Sequence, residues 1–105
     1  MDSNEWHCVV AYRDFHDVPR CVLAANKTGD AFWILDAVFE DTVDEYSTVY
    51  TIHGAGNALD EAMASFKAHA GKSSPLPAIG CIPVAHVQFD ETRRSALKLT
   101  SQPIR

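Results

Sequence analysis

The sequence predicts an α+β fold: a mainly antiparallel four- to five-stranded sheet, one main amphipathic helix packed on one face, and a short C-terminal helix. Three observations lead to it. The first half of the chain is a series of β-rich runs separated by hairpin-type turns, with no helix between them to carry a crossover. One segment, residues 57–71, holds apolar residues at three- and four-residue spacing. The 105 residues, 47% hydrophobic and 22% charged, suit a single domain, residues 1–105, with its own core.

Each element has a local reason. Cys8-Val9-Val10-Ala11-Tyr12 is a short apolar run and reads as the first strand. Residues 13–19 are polar, end in Pro19 and read as a loop. Cys21-Val22-Leu23-Ala24-Ala25 is the second strand, followed by Asn26-Lys27-Thr28-Gly29-Asp30, a turn with glycine where a left-handed residue is needed. Residues 31–40 form the third strand. Trp33, Leu35, Ala37 and Phe39 share its wholly apolar face, which is expected to meet the helix. Phe32, Ile34, Asp36, Val38 and Glu40 share the mixed face. An acidic turn then leads to a fourth strand, residues 46–53, rich in β-branched and aromatic residues.

Gly54-Ala55-Gly56-Asn57 leads into the helix. Asn57 reads as its N-cap, Asp60 and Glu61 suit the dipole of its first turn, and Leu59, Ala62, Met63, Phe66 and Ala70 make its apolar stripe. Gly71 reads as its stop and residues 72–77 as a linker. Residues 79–89 read as a fifth strand, at an edge or bulged because Pro83 has no ladder donor. Asp90 is expected to cap the last helix, residues 91–99, ahead of a frayed tail.

The formal net charge of −5 argues against a general nucleic-acid binder, and the small patch of Arg93, Arg94 and Lys98 is too little to reverse that. It leaves a basic protein as the expected partner. No run approaches the ~18 apolar residues of a membrane span, and the start has no secretory pattern. Cys8, Cys21 and Cys81 are odd in number and lack CxxC spacing, so no disulfide framework follows and a reducing cytoplasm is expected.

Candidate sites are few. Asp36, Glu40, Asp41, Asp44 and Glu45 put five of the 14 acids within ten residues. Such a cluster repels itself, and it would steer a basic partner onto the hairpin with Tyr46 and Tyr50 as aromatic anchors. The second candidate is the strand-to-helix corner, where the amides of Gly54, Gly56 and Asn57 could meet an anionic ligand and His53 could serve as acid or base. It lacks the third glycine of a dinucleotide fingerprint and the lysine of a P-loop, and no cofactor is expected. His7, Cys8, His16, Asp17 and Cys21 show no recurrent ligand spacing, so no metal is expected. No catalytic constellation assembles either. Cys81 and His86 fall on opposite strand faces, Cys21 or Cys8 could meet His53 only if neighbouring strands align them, and no Gly-x-Ser-x-Gly elbow is present.

Asp17-Val18-Pro19-Arg20-Cys21 and Asp60-Glu61-Ala62 are similar to the Asp-x-Pro-Gly-Cys turn and the Glu-Glu-Ala helix of HicB-type antitoxins. Arg20 stands where that family has the turn glycine, the gap between the segments is far longer here, and the likeness covers under a quarter of the chain. It implies no site residue. The expected function is a non-enzymatic binding protein of inhibitor, immunity or antitoxin type that sequesters a basic partner, with an anionic-ligand binding protein or small enzyme that uses the Gly54–Asn57 corner as the alternative. A homodimer is also expected, because it would cover Phe32, Ile34 and Val38.

Overall fold

The computed structural model describes residues 1–69 and 76–104. Nine strands and one α-helix follow in order: β1 (Trp6–His16), β2 (Val18–Ala25), β3 (Phe32–Asp36), β4 (Phe39–Glu40), β5 (Glu45–Tyr46), β6 (Val49–Gly54), α1 (Leu59–Ala68), β7 (Ala78–Pro83), a 3-10 turn (Val84–His86), β8 (Val87–Phe89) and β9 (Ala96–Leu99). Seven strands form one antiparallel sheet in the order β7-β6-β3-β2-β1-β9-β8, while β4 and β5 pair only with each other. The expected four- to five-stranded sheet with two helices is therefore corrected to a seven-stranded sheet, a separate hairpin and a single helix among the described residues.

The sheet must curl. Its two edge strands, β7 and β8, are joined by one 3-10 turn. Four residues of chain reach at most about 14 Å, whereas the edges of a flat seven-stranded sheet would lie about 29 Å apart. The result is a half-barrel. The Val84 amide donates to the Thr48 carbonyl at 2.8 Å and the Thr100 amide to the His86 carbonyl at 2.8 Å, fastening the turn to both sides.

Curling gives the sheet two buried faces. Val22, Ala24, Leu35, Tyr50, Ile52, Ile82, Leu97 and Leu99 fill the inner one. Cys21, Leu23, Ala25, Phe32 and Ile34 lie on the outer one, beneath Ala62 and Phe66 of α1. The helix thus covers the face of β3 opposite to the one expected. Phe32 and Ile34 are core residues, 3% and 0% exposed, so the helix and not a second copy covers them, while Val38 of the same expected face stays half-buried. The Tyr50 hydroxyl, fully buried, donates to the Pro19 carbonyl at 2.6 Å and ties β6 to the start of β2.

Four local readings change. Residues 13–16 continue β1, paired with β2 through a tight turn in which Asp17 takes a φ of 67°. The third strand ends at Asp36: the Ala37 amide still donates to the Arg20 carbonyl, the next position of the β2–β3 register, and the chain then leaves the sheet to form β4. Ala58, not Asn57, occupies the N-cap, with no side-chain cap. Residues 90–95 form a turn in place of a helix. The Asp90 carboxylate does accept backbone amides, but those of Thr92, Ser95 and Ala96, and Arg93 takes a φ of 60°. Leu97 and Leu99 then point inward at strand spacing. The residue 79–89 strand is interrupted at Pro83, as the missing ladder donor implies. The Gly71 stop and most of the expected linker lie outside the described residues.

Candidate functional site

Two adjoining features could carry function, an inner polar cluster and an outer groove. The cluster starts from strand parity. Cys21 and Asp36 are direct cross-strand partners on β2 and β3. Cys21 shares a face with Leu23 and Ala25, and Asp36 shares one with Phe32 and Ile34, so both lie on the side covered by the helix. His69, directly after α1, comes down onto them. Its Nε2–H donates to Asp36 Oδ2 at 2.6 Å, with the two side chains 0% and 9% exposed. One ligand-type atom from each of Cys21, Asp36 and His69 lies within 4.8 Å of the others.

Two neighbours fix this arrangement. Arg13 reaches from β1 to the end of α1, donating to the Phe66 carbonyl at 3.1 Å and to the His69 carbonyl, with its guanidinium 5.0 Å from the Phe66 ring centroid. A cation there satisfies carbonyls that the helix end leaves open and complements its dipole. The His53 ring packs edge-on against His69 at 5.0 Å, and its Nδ1 is held by the Leu76 carbonyl at 3.1 Å.

Burial, then the charge of Asp36, pushes the Cys21 thiol up from 9.0 to about 12, against the pull of Arg13. A thiol held neutral is a poor nucleophile. The unfolded chain ionises this thiol first as pH rises. Its contribution to stability is therefore complete below pH 9 and is lost as pH climbs from 9.0 to about 12. In metal-free buffer the unfolding free energy should fall in that window by on the order of 1 kcal/mol per pH unit more in the wild type than in Cys21→Ala. Urea titrations of both proteins at several alkaline pH values measure the difference, and parallel curves would contradict it.

The groove lies next to the cluster. A cavity of about 430 Å³ borders Arg13, Cys21 and Asp36 on one side and Phe39 and Tyr46 on the other. Beyond Tyr46 a second opening of about 610 Å³ runs between the β4–β5 hairpin and the sheet, lined by His16, Asp17, Arg20, Asp44, Glu45 and Val84 among others. Tyr46 is held by three neighbours: Phe39 at 5.0 Å, His16 at 5.6 Å and the Arg20 guanidinium at 5.2 Å. The hairpin is anchored at its base, where the Ser47 amide donates to the Val38 carbonyl at 2.8 Å.

The structure sorts the residues singled out from sequence. Asp41, Asp44 and Glu45 are exposed on the hairpin and Glu40 is half-buried beside them. Asp36 is instead the buried partner of His69, and Tyr50 is in the core, which takes both off the hairpin surface. At the strand-to-helix corner the Ala55 amide and the Gly56 carbonyl are both spent on Phe32. A side chain at Gly56 would meet the Glu61 carboxyl group at 3.5 Å, so a negative charge already faces that corner. Asn57 is exposed and His53 is buried on the helix side. The Cys21–Asp36–His69 cluster is absent from the sites read in the sequence. Its one signal there is the parity of Asp36 with Phe32 and Ile34, since an acid on the covered face of a strand needs a donor from whatever covers it.

No helix among the described residues is long and apolar enough to cross a membrane. No protein-family model, curated protein or solved structure matches the chain.

Proposed function

We propose that the chain is a non-enzymatic binding protein, of the inhibitor, immunity or antitoxin type, that sequesters a more basic partner protein. The observation that carries this reading is the β4–β5 hairpin. It stands outside the main sheet, presents Glu40, Asp41, Asp44 and Glu45, and walls a groove of about 610 Å³ with an aromatic floor at Phe39 and Tyr46. Exposed Val43 at its tip, 62% accessible, adds apolar surface between the acids. Acids around an aromatic centre suit a basic segment that takes over the Tyr46 ring from Arg20, with charge setting the encounter rate and the rings the residence time. Three free cysteines fit a reducing, cytoplasmic setting.

The test compares the wild type with a triple variant, Asp41→Ser, Asp44→Ser and Glu45→Ser, as baits in a lysate of the source cells at low salt. A stoichiometric basic partner should bind the wild type, leave as salt rises, and bind the variant roughly tenfold or more weakly. Equal retention on both baits at low salt would overturn the assignment.

A further inference from the structure

We infer that Cys21, Asp36 and His69 form a binding site for one zinc ion. Three different donor types, a sulfur, a carboxylate oxygen and an imidazole nitrogen, converge from β2, β3 and the end of α1 to within 4.8 Å of one another. Zinc accepts all three, whereas calcium and magnesium select oxygen alone. A tetrahedral zinc with bonds of about 2.0–2.3 Å holds its ligand atoms about 3.3–3.8 Å apart. The Asp36–His69 pair, at 2.6 Å, has to open slightly and Cys21 to close slightly, by shifts of about 1 Å.

Charge favours the ion. On binding, the thiol proton leaves to solvent and the ring proton of His69 moves from Nε2 to Nδ1, so that a neutral imidazole ligates through Nε2 beside the Asp36 carboxylate. Thiolate and carboxylate then bring two negative charges against the two positive charges of zinc, leaving a neutral centre in a buried place. Arg13 is engaged with the helix end, with Asp14 at 3.9 Å and with the Cys21 thiol, so it stays as one positive charge beside the centre while it holds the backbone of His69 in position. The cavity of about 430 Å³ beside Cys21 and Asp36 gives the ion a route in and room for a water as fourth ligand. The three ligands lie on the helix-covered face and none lines the larger opening, while the smaller cavity that leads to Cys21 and Asp36 is walled on its far side by Phe39 and Tyr46 of the hairpin.

Cobalt(II) is the probe, because a cobalt–thiolate bond gives a charge-transfer absorption in the near ultraviolet. Chelator-treated full chain is titrated with cobalt and then with zinc. A Cys8→Ser, Cys81→Ser double variant leaves Cys21 as its one thiol and alters an exposed and a half-buried position. It should bind one equivalent of cobalt, show the band, and lose it when zinc displaces the cobalt. His69→Gln in that background should weaken binding by more than the about 10- to 100-fold typical of a residue that merely orients a ligand. A double variant that keeps its wild-type circular dichroism but shows no band overturns the inference. So does a band in the wild type that the double variant lacks, since that would place the metal on the surface thiols.

Discussion

Replacing His69 with alanine should destabilise the protein by about 3–5 kcal/mol in metal-free buffer, the range for removing one member of a buried pair. His69 is 0% exposed at its side chain and donates the 2.6 Å hydrogen bond to Asp36. Without it, a carboxylate remains in the core with that donor gone and a cavity beside it. Native stability for a domain of this size is about 5–15 kcal/mol, so the variant stands at the edge of folding. Urea unfolding measures the loss. A change under about 1 kcal/mol would mean that water reaches Asp36 and replaces the imidazole. His69→Gln, which can still donate to the carboxylate, should recover part of the difference.

Phe66→Ala should cost a comparable amount, about 3–5 kcal/mol, for a different reason. On α1 only Ala62 and Phe66 are buried, so Phe66 is the chief apolar anchor of the helix to the outer face of the sheet. Its ring also carries the Arg13 guanidinium at 5.0 Å. Truncation leaves a void over Leu23 and Ile34 and loosens the arginine that closes the helix end. For a chain of this length the melting temperature should drop by on the order of 15 °C, read by thermal denaturation. Phe66→Leu keeps most of the volume and should cost under about 1.5 kcal/mol. Equal losses in both variants would mean that the ring–guanidinium contact, and not packing, holds the helix end in place.

Local signals located part of this architecture and non-local ones decided the rest. The turn at 26–30 was legible because Gly29 takes a φ of 72° and the Asn26 side chain accepts the Asp30 and Ala31 amides. The helix was legible from Ala62, Met63 and Phe66, although its apolar start, Leu59, is 54% exposed. The C-terminal strand resembles a helix in sequence because Asp90 fits a cap by composition and β9 is only four residues long; the period-two spacing of Leu97 and Leu99 is the better guide. The side of β3 that meets the helix could not be read from β3 alone. Both its faces are apolar because the sheet curls, and the curl follows from a strand order that no local pattern encodes. The same limit hid the cluster. Asp36 and His69 lie 33 residues apart, and composition grouped Asp36 with the acids of the hairpin.

The place of β9 in the sheet has a kinetic consequence. It lies between β1 and β8 and pairs with Trp6, His7 and Cys8, so strands from opposite ends of the chain must meet before the half-barrel exists. Pairing over so long a separation carries a loop-closure cost before any contact rewards it, which places folding in the slow, millisecond-to-second class of non-local β proteins. During synthesis the ribosome must release residue 99 before β1 gains this neighbour. Until then β1 offers an open edge at Trp6, His7 and Cys8, and Val10, Tyr12 and Phe15 farther along the strand stay 37–38% exposed even in the finished fold. The nascent chain therefore carries this aggregation hazard until β9 has emerged and paired.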